Sequence, residues 1–166
     1  MKAIRITIAA FLLIPLLASA SVVDWKPVGS GTMRWTFFEL YDIRLLTETG
    51  RYSADKFPQA LEITYRRDIP SEKLVEATQD QWQHLGLTPK NQESWLQKLA
   101  ALWPDIRKGD TLRFEVYPAG ENLFFYNGTA LGSVTDSDFS RAFLDIWLSP
   151  KTSEPSLRNR LIASKS

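Results

Sequence analysis

The sequence predicts an α+β domain, an antiparallel sheet with helices on one face. Three observations predict it. Segments with period-two alternation come in runs, and so do segments with helical periodicity, without strict β-α alternation. Asn127-Gly128 separates two strand-like segments, the pattern of a tight antiparallel hairpin. Each helical segment carries one apolar stripe, so each has one face to bury.

The first element stands outside that domain. Lys2 and Arg5 flank the start of an apolar run, Ile6 to Leu17, broken only by Thr7 and Pro15, and Ala18-Ser19-Ala20 follows. A basic start, a short apolar run and a small-x-small site are the pattern of a secretory signal peptide, expected to be cut after Ala20. The run is shorter than the roughly 20 residues that a membrane span needs. The chain has no Cys, which excludes a lipid-modified cysteine as anchor. The expected organisation is therefore a signal peptide at 1–20 and one domain at 21–166, periplasmic or secreted, without a stable membrane anchor.

Within the domain, Ser21 to Gly31 reads as a lead-in. Met33 to Thr47 reads as one long strand, with Met33, Trp35, Phe37, Glu39, Tyr41, Ile43 and Leu45 on one face and Arg34, Thr36, Phe38, Leu40, Asp42, Arg44 and Leu46 on the other. Both faces carry apolar side chains, so both are expected to be partly covered. A polar loop precedes a second strand, Ala60 to Arg67, with Leu61, Ile63 and Tyr65 on one side. Pro70-Ser71 opens a helix bearing Leu74, Val75, Thr78, Trp82 and Leu85, and Gly86 stops it. Thr88 as cap and Pro89 at the first helical position open the next, with Trp95, Leu96, Leu99, Leu102 and Trp103 as its stripe. Thr111 to Tyr117, Leu123 to Tyr126 and Thr129 to Val134 are strands. Thr135-Asp136-Ser137-Asp138 carries a capping-box pattern ahead of Phe139, Ala142, Phe143, Ile146 and Trp147. Pro155 to Ile162 closes the chain as a short helix.

The composition excludes several chemistries. Without Cys there are no disulfides, no thiolate zinc sites, no c-type haem attachment and no cysteine nucleophile. Removing Lys2 and Arg5 from the 20 basic residues leaves 18 against 19 acidic ones, which is not the basic footprint of a nucleic-acid binder. The single His, His84, sits on the polar side of a helix and lacks the convergent partners of a metal or triad site. Gly29 and Gly31 precede a strand rather than a helix, so they are not a phosphate loop. Asn127-Gly128-Thr129 fits a glycosylation acceptor, but a hairpin accounts for it. Capping accounts for Asp136 and Asp138 without a metal. No cofactor is expected.

Aromatic side chains are abundant, with six Trp, nine Phe and five Tyr. Most belong to a core. A sheet that is apolar on both faces of its first strand, with helices on one side, can also enclose an apolar pocket in which a few polar groups orient a ligand. Arg34, Thr36, Tyr41, Tyr65 and Arg113 are the candidate ligand-binding residues, with Arg66 as a further cation. An arginine fork matches a carboxylate, and Arg34 leads the set.

Four stretches, "GSGTMRWTFFELYDIRLL", "FPQALEITYRRDIPSEKL", "WPDIRKGDTLRFEVYPAGENLFFYNGTALGSV" and "DSDFSRAFLDIWLSPKTSEPSLRNRLI", resemble the bacterial, exported chalcone isomerase-like family in content and order. The resemblance implies an open-faced β-sandwich, a large antiparallel sheet covered by a layer of helices. It also implies one of two activities. Some members close a chalcone to a flavanone, and others bind fatty acids without catalysis, holding the carboxylate with an arginine and a tyrosine. Arg34, after Gly29-Ser30-Gly31, is the nearest match to the family arginine, and Thr36 lies near the place of the isomerase threonine. The isomerase Tyr and Asn fall at Pro70 and Ala77 when counted back from Trp82-Gln83-His84-Leu85-Gly86, and neither residue polarises a carbonyl. The expected function is an exported, non-catalytic binding protein for a small apolar, acidic, fatty-acid-like ligand. The alternatives are an intramolecular lyase of the chalcone isomerase type and a cell-envelope protein-interaction module.

Overall fold

The computed structural model describes residues 22–88 and 90–163. The signal-peptide reading and the placement of Pro89 lie outside the described residues.

Six strands form one antiparallel sheet in which each pairs with its neighbour in sequence. They are β1 (Lys26–Trp35), β2 (Phe38–Thr47), β3 (Gln59–Tyr65), β4 (Thr111–Val116), β5 (Asn122–Tyr126) and β6 (Thr129–Gly132). Among the described residues there are four α-helices: α1 (Ser71–His84), α2 (Gln92–Leu102), α3 (Ser137–Leu148) and α4 (Pro155–Leu161). The open-faced sandwich anticipated from the sequence is the architecture found.

Pairing register turns the alternation of each strand into rows across the sheet. Leu45, Leu61, Phe114 and Phe124 are one row, Ile43, Ile63 and Leu112 the next, and Tyr41 opposite Tyr65 the last. These residues face the helices and join the core with Trp82, Trp95, Leu99, Phe139 and Phe143. The other face of the sheet is polar. Arg44 donates to Glu62 at 2.8 Å, and Arg113 reaches Glu62 at 3.2 Å and Glu115 at 2.8 Å. Cross-strand opposite charges fit a wet face and add little stability each.

The expected single strand from Met33 to Thr47 is instead two strands, β1 and β2, joined by a two-residue turn at Thr36-Phe37. Trp35 pairs with Phe38 and Arg34 with Glu39. Thr36 sits at φ 54, a backbone region that a β-branched residue rarely adopts. Trp-Thr-Phe-Phe holds none of the Gly, Asn, Asp or Pro that mark turns, so composition hid it. Length was the available signal, because a 15-residue strand is far above the usual five or six.

The glycines before that turn also find their reason. A Cβ on Gly31 would stand 2.6 Å from Leu157 Cδ1, and one on Gly29 would collide with the backbone carbonyls of Arg160 and Leu161. Both positions let α4 lie directly on β1. A side chain at Gly29 would lift α4 off the sheet, and one at Gly31 would push aside the Leu157 and Arg160 side chains.

Helix ends largely follow the sequence. Gly86 adopts φ 70 after α1, and Leu87 N–H returns to Trp82 O at 2.9 Å, the left-handed stop that glycine permits. The second helix begins later than expected, at Gln92, where Asn91 O accepts from Trp95 N. Asp136 caps α3 by accepting from Asp138 N at 3.0 Å. Its other oxygen accepts from Asn91 Nδ2 at 2.8 Å and Trp95 Nε1 at 3.0 Å, so one carboxylate ties the starts of α2 and α3 together.

The Asn91 bond, then the Asp138 N–H, hold this carboxyl below its ordinary range. A depressed native pKa contributes stability above the unfolded value, about 3.9, that is lost as pH falls through the native one. Asp136→Ala removes a cap and leaves the buried Trp95 N–H unpaired. A loss of about 2–3 kcal/mol is expected in urea unfolding, and a loss below half of that would mean the link between α2 and α3 contributes nothing beyond capping.

Candidate ligand-binding site

A cavity of about 480 Å³ lies between the inner face of the sheet and the helices, within the roughly 300–1,000 Å³ of ligand pockets. Leu61, Ile63 and Leu112 belong to its floor, which the row register builds from two adjacent strands, β3 and β4. Leu74, Ala77 and Gln81 of α1 and Phe143, Ile146 and Trp147 of α3 form the opposite wall. Met33 and Trp35 of β1 close one side. Charged residues, Lys73, Glu76, Asp80 and Glu154, stand at the rim, and Lys73 is ion-paired to Glu76 at 2.7 Å.

The wall is mostly apolar. Its polar groups include Thr78, Gln81 and Trp103 Nε1, which has no partner among the described residues, and its two phenols gather at one place. Tyr41 on β2 and Tyr65 on β3 pair in register and meet edge to face, with ring centroids 5.8 Å apart. Trp147 Nε1 donates to Tyr41 Oη at 2.9 Å. Tyr41 thus accepts from the indole and keeps its own proton to donate. The Tyr65 hydroxyl has no protein partner among the described residues, although the residue is 5% exposed. Burial pushes both phenols above their ordinary range, and the nearby Glu154 carboxylate adds to this for Tyr41. Both stay neutral, as hydrogen-bond donors rather than phenolates. The site offers an apolar volume and neutral donors, which suits an oxygen acceptor on an apolar body.

Three of the five sequence-predicted residues, Tyr41, Tyr65 and Arg113, line the cavity, but the structure brings together only the two tyrosines. Arg34 lies outside the cavity, on the wet face, donating to Glu39 at 2.7 Å with 65% of its side chain exposed. Thr36 is in the hairpin turn, donating to Trp35 O. The Arg113 guanidinium is on the far face of the sheet, between Glu62 and Glu115 and 5.0 Å from the Trp25 ring centroid. Arg66 is there too, bonded to Asp42 at 2.8 Å and Glu39 at 2.7 Å. Strand alternation sends these cations away from the helices.

Trp147 and Ala77 were not singled out by sequence as ligand contacts. A Trp with a donor N–H on the stripe of α3 was the signal for the first, since a buried indole N–H needs a partner. Ala77 appeared only as a mismatch to the isomerase pattern, and the structure places it in the cavity wall. Among the described residues, no three His, Cys, Asp or Glu side chains form a metal-ligating group, and no helix is long and apolar enough to cross a membrane.

Comparison with known proteins bears on the same region. Residues 26–163 match the model of a family described as chalcone isomerase-like. A Haemophilus influenzae protein, described as uncharacterized, is 29% identical over 150 residues, covering 90% of this chain and 74% of that one. Among solved structures, a fatty-acid binding protein of Arabidopsis thaliana, AtFAP1, has a TM-score of 0.68 at 13% identity, covering 86% of this chain and 89% of that chain. At that identity the likeness is one of fold.

Proposed function

Because the chain belongs to the chalcone isomerase-like family, with the cavity between sheet and helices described above, we propose that it is an exported, non-catalytic binding protein for a small apolar, fatty-acid-like ligand. The observation that carries this reading is the unpartnered Tyr65 hydroxyl beside Tyr41, a polar pair in the wall of a largely apolar cavity. The fatty-acid binding function of the Arabidopsis structure with the same fold supports it. The leader at 1–20, with cleavage after Ala20 and release of 21–166 to the periplasm or medium, is part of the proposal. It rests on the basic, apolar and small-residue pattern, and the intact mass of exported protein tests it.

The geometry refines the ligand. Arg34 and Arg113 direct their charges elsewhere, and Lys73 at the rim is already paired. The tyrosines offer neutral donors with Glu154 close by. An acid therefore binds here through its protonated head, and an ester or other uncharged acyl compound binds equally well. Fatty-acid affinity is expected to rise as pH falls through the carboxyl range, about 4 to 5, while affinity for the methyl ester stays flat. Isothermal titration of both across that range reads the difference. A charged-carboxylate site would show the opposite trend for the acid.

Tyr65→Phe deletes one donor and keeps the ring. Loss of about 1 kcal/mol, roughly five- to tenfold in Kd, is expected for either ligand, with stability nearly unchanged. Unaltered affinity would remove the tyrosine pair from the site. Mass spectrometry of lipids extracted from native protein tests the whole reading. Absence of any co-purifying or titratable apolar compound would overturn it. The lyase alternative has less support, since Arg34 points to solvent and Ala77 brings no polar group to the wall.

A further inference from the structure

Three of the four large hydrophobic residues exposed among the described residues lie in one turn: Trp35 at 68%, Phe37 at 98% and Phe38 at 53% exposure. Scattered apolar residues on a surface need no explanation, but contiguous aromatic ones do. Thr36 holds a left-handed backbone to present them. α4 packs against β1 at Gly29 and Gly31, toward the hairpin's base, while the tip remains uncovered.

We infer that this hairpin tip is a docking surface for an anionic phospholipid bilayer, at which the cavity exchanges its ligand. Two observations favour a bilayer over a protein or a second copy of the chain. The first is charge. Arg34, Arg66 and Arg67 line one surface hollow with Phe37 and Phe38. Arg34 and Arg66 already neutralise Glu39 and Asp42. Arg67 makes no ion pair among the described residues and lies with its guanidinium 4.5 Å from the Phe38 ring centroid. Trp and Phe flanked by Arg is the composition that settles at the headgroup boundary, with rings in the acyl region and cations on phosphates. The second is continuity. Trp35 belongs both to the exposed tip and to the cavity wall, and Met33 beside it also lines the cavity. A bilayer that receives Phe37 and Phe38 therefore lies against the side of the cavity that β1 closes. An apolar ligand then passes between acyl chains and cavity without crossing water. The exchange step rests on the binding function proposed above, and the docking step does not.

Co-sedimentation of the mature protein with vesicles tests it, using phosphatidylcholine alone and phosphatidylcholine mixed with phosphatidylglycerol. The wild type is expected to bind the mixed vesicles, and to release them as salt is raised. Phe37→Ser is expected to weaken binding about tenfold, from the lost burial of one large apolar side chain, with an unchanged melting temperature. Arg67→Gln is expected to weaken binding to the mixed vesicles only. No binding by the wild type, or equal binding by Phe37→Ser, overturns the inference. So does a wild-type dimer in sedimentation that Phe37→Ser dissociates, because the tip would then join two copies. Equal binding to both vesicle types overturns its anionic selectivity. Ligand titration without vesicles is read separately. Failure there, with vesicle binding intact, overturns the cavity reading and leaves the docking surface standing.

Discussion

Trp82→Ala is expected to destabilise the protein by about 3–5 kcal/mol, the range for truncating a buried Trp. Trp82 is fully buried on α1, at the meeting point of three helices. It lies edge-on to Trp95 of α2, at 5.6 Å, and to Phe139 of α3, at 6.2 Å. Its Nε1 donates to Ala142 O of α3 at 2.9 Å. The substitution therefore removes one of the largest side chains in the core and the hydrogen bond that ties α1 to α3. Neighbouring rings pack against one another as well, since Trp95 and Phe139 are 5.5 Å apart, so the void cannot close by movement of one residue. Trp82→Phe keeps most of the ring and loses the bond, and about 1–2 kcal/mol is expected from that term with some packing loss. Urea unfolding at constant m-value measures both. A cost below about 1 kcal/mol for the alanine variant would show that the helix layer is not knit at this point. The same layer roofs the cavity, so the alanine variant is also expected to bind ligand poorly.

The sheet was legible where alternation runs unbroken. Leu61, Ile63 and Tyr65 face the helices as their spacing predicts, and so do Leu112, Phe114 and Val116. Asn127 at φ 48 and Gly128 at φ 82 make the hairpin that the dipeptide signals, and Asp136 caps the helix that it precedes. The long first strand was misread because tertiary structure holds Thr36 where local chemistry gives no hint of a turn. The error had a limited reach. Tyr41, Ile43 and Leu45 do share the inner face, and Arg34, Asp42 and Arg44 the outer one. Glu39 does not follow Tyr41, because the pairing slips between Met33 and Arg34 and skips Leu40. Glu39 therefore meets Arg34 and Arg66 on the wet face.

The cavity was legible as a possibility of an aromatic sheet under helices, but its tyrosines were not legible as a pair. Tyr41 and Tyr65 are 24 residues apart and meet only through strand register, which the sequence leaves free until the turn is known. The bond from Trp147 to Tyr41 spans 106 residues and depends on how α3 lies over β2. Arginine drew attention because its chemistry is specific for anions. Position overrode chemistry, since each of these arginines lies on the face with a carboxylate within reach. The residues left to meet a ligand are the ones whose polar atoms the fold leaves unspent.

Ala77→Trp is expected to abolish ligand binding, raising Kd by a hundredfold or more, while the protein stays folded. Ala77 is on the α1 turn between Lys73 and Gln81, and all three line the cavity at helical spacing. The residue is exposed, so it is at the opening rather than in the packed core. An indole there extends into space that no side chain occupies, so the strain of overpacking a filled core does not arise. The helix-propensity cost of Trp against Ala is about 0.5 kcal/mol, so the melting temperature is expected to move by only a few degrees. The ligand loses the volume it needs rather than one hydrogen bond, which is why the effect should exceed that of Tyr65→Phe by an order of magnitude or more. Displacement of a fluorescent fatty-acid analogue measures it, with Ala77→Ser as the small control that should bind like the wild type. Vesicle docking by Phe37 should persist in Ala77→Trp, because the indole is on α1 and the tip is on β1 and β2. A folded Ala77→Trp that binds the analogue with wild-type affinity would place the ligand somewhere other than this cavity.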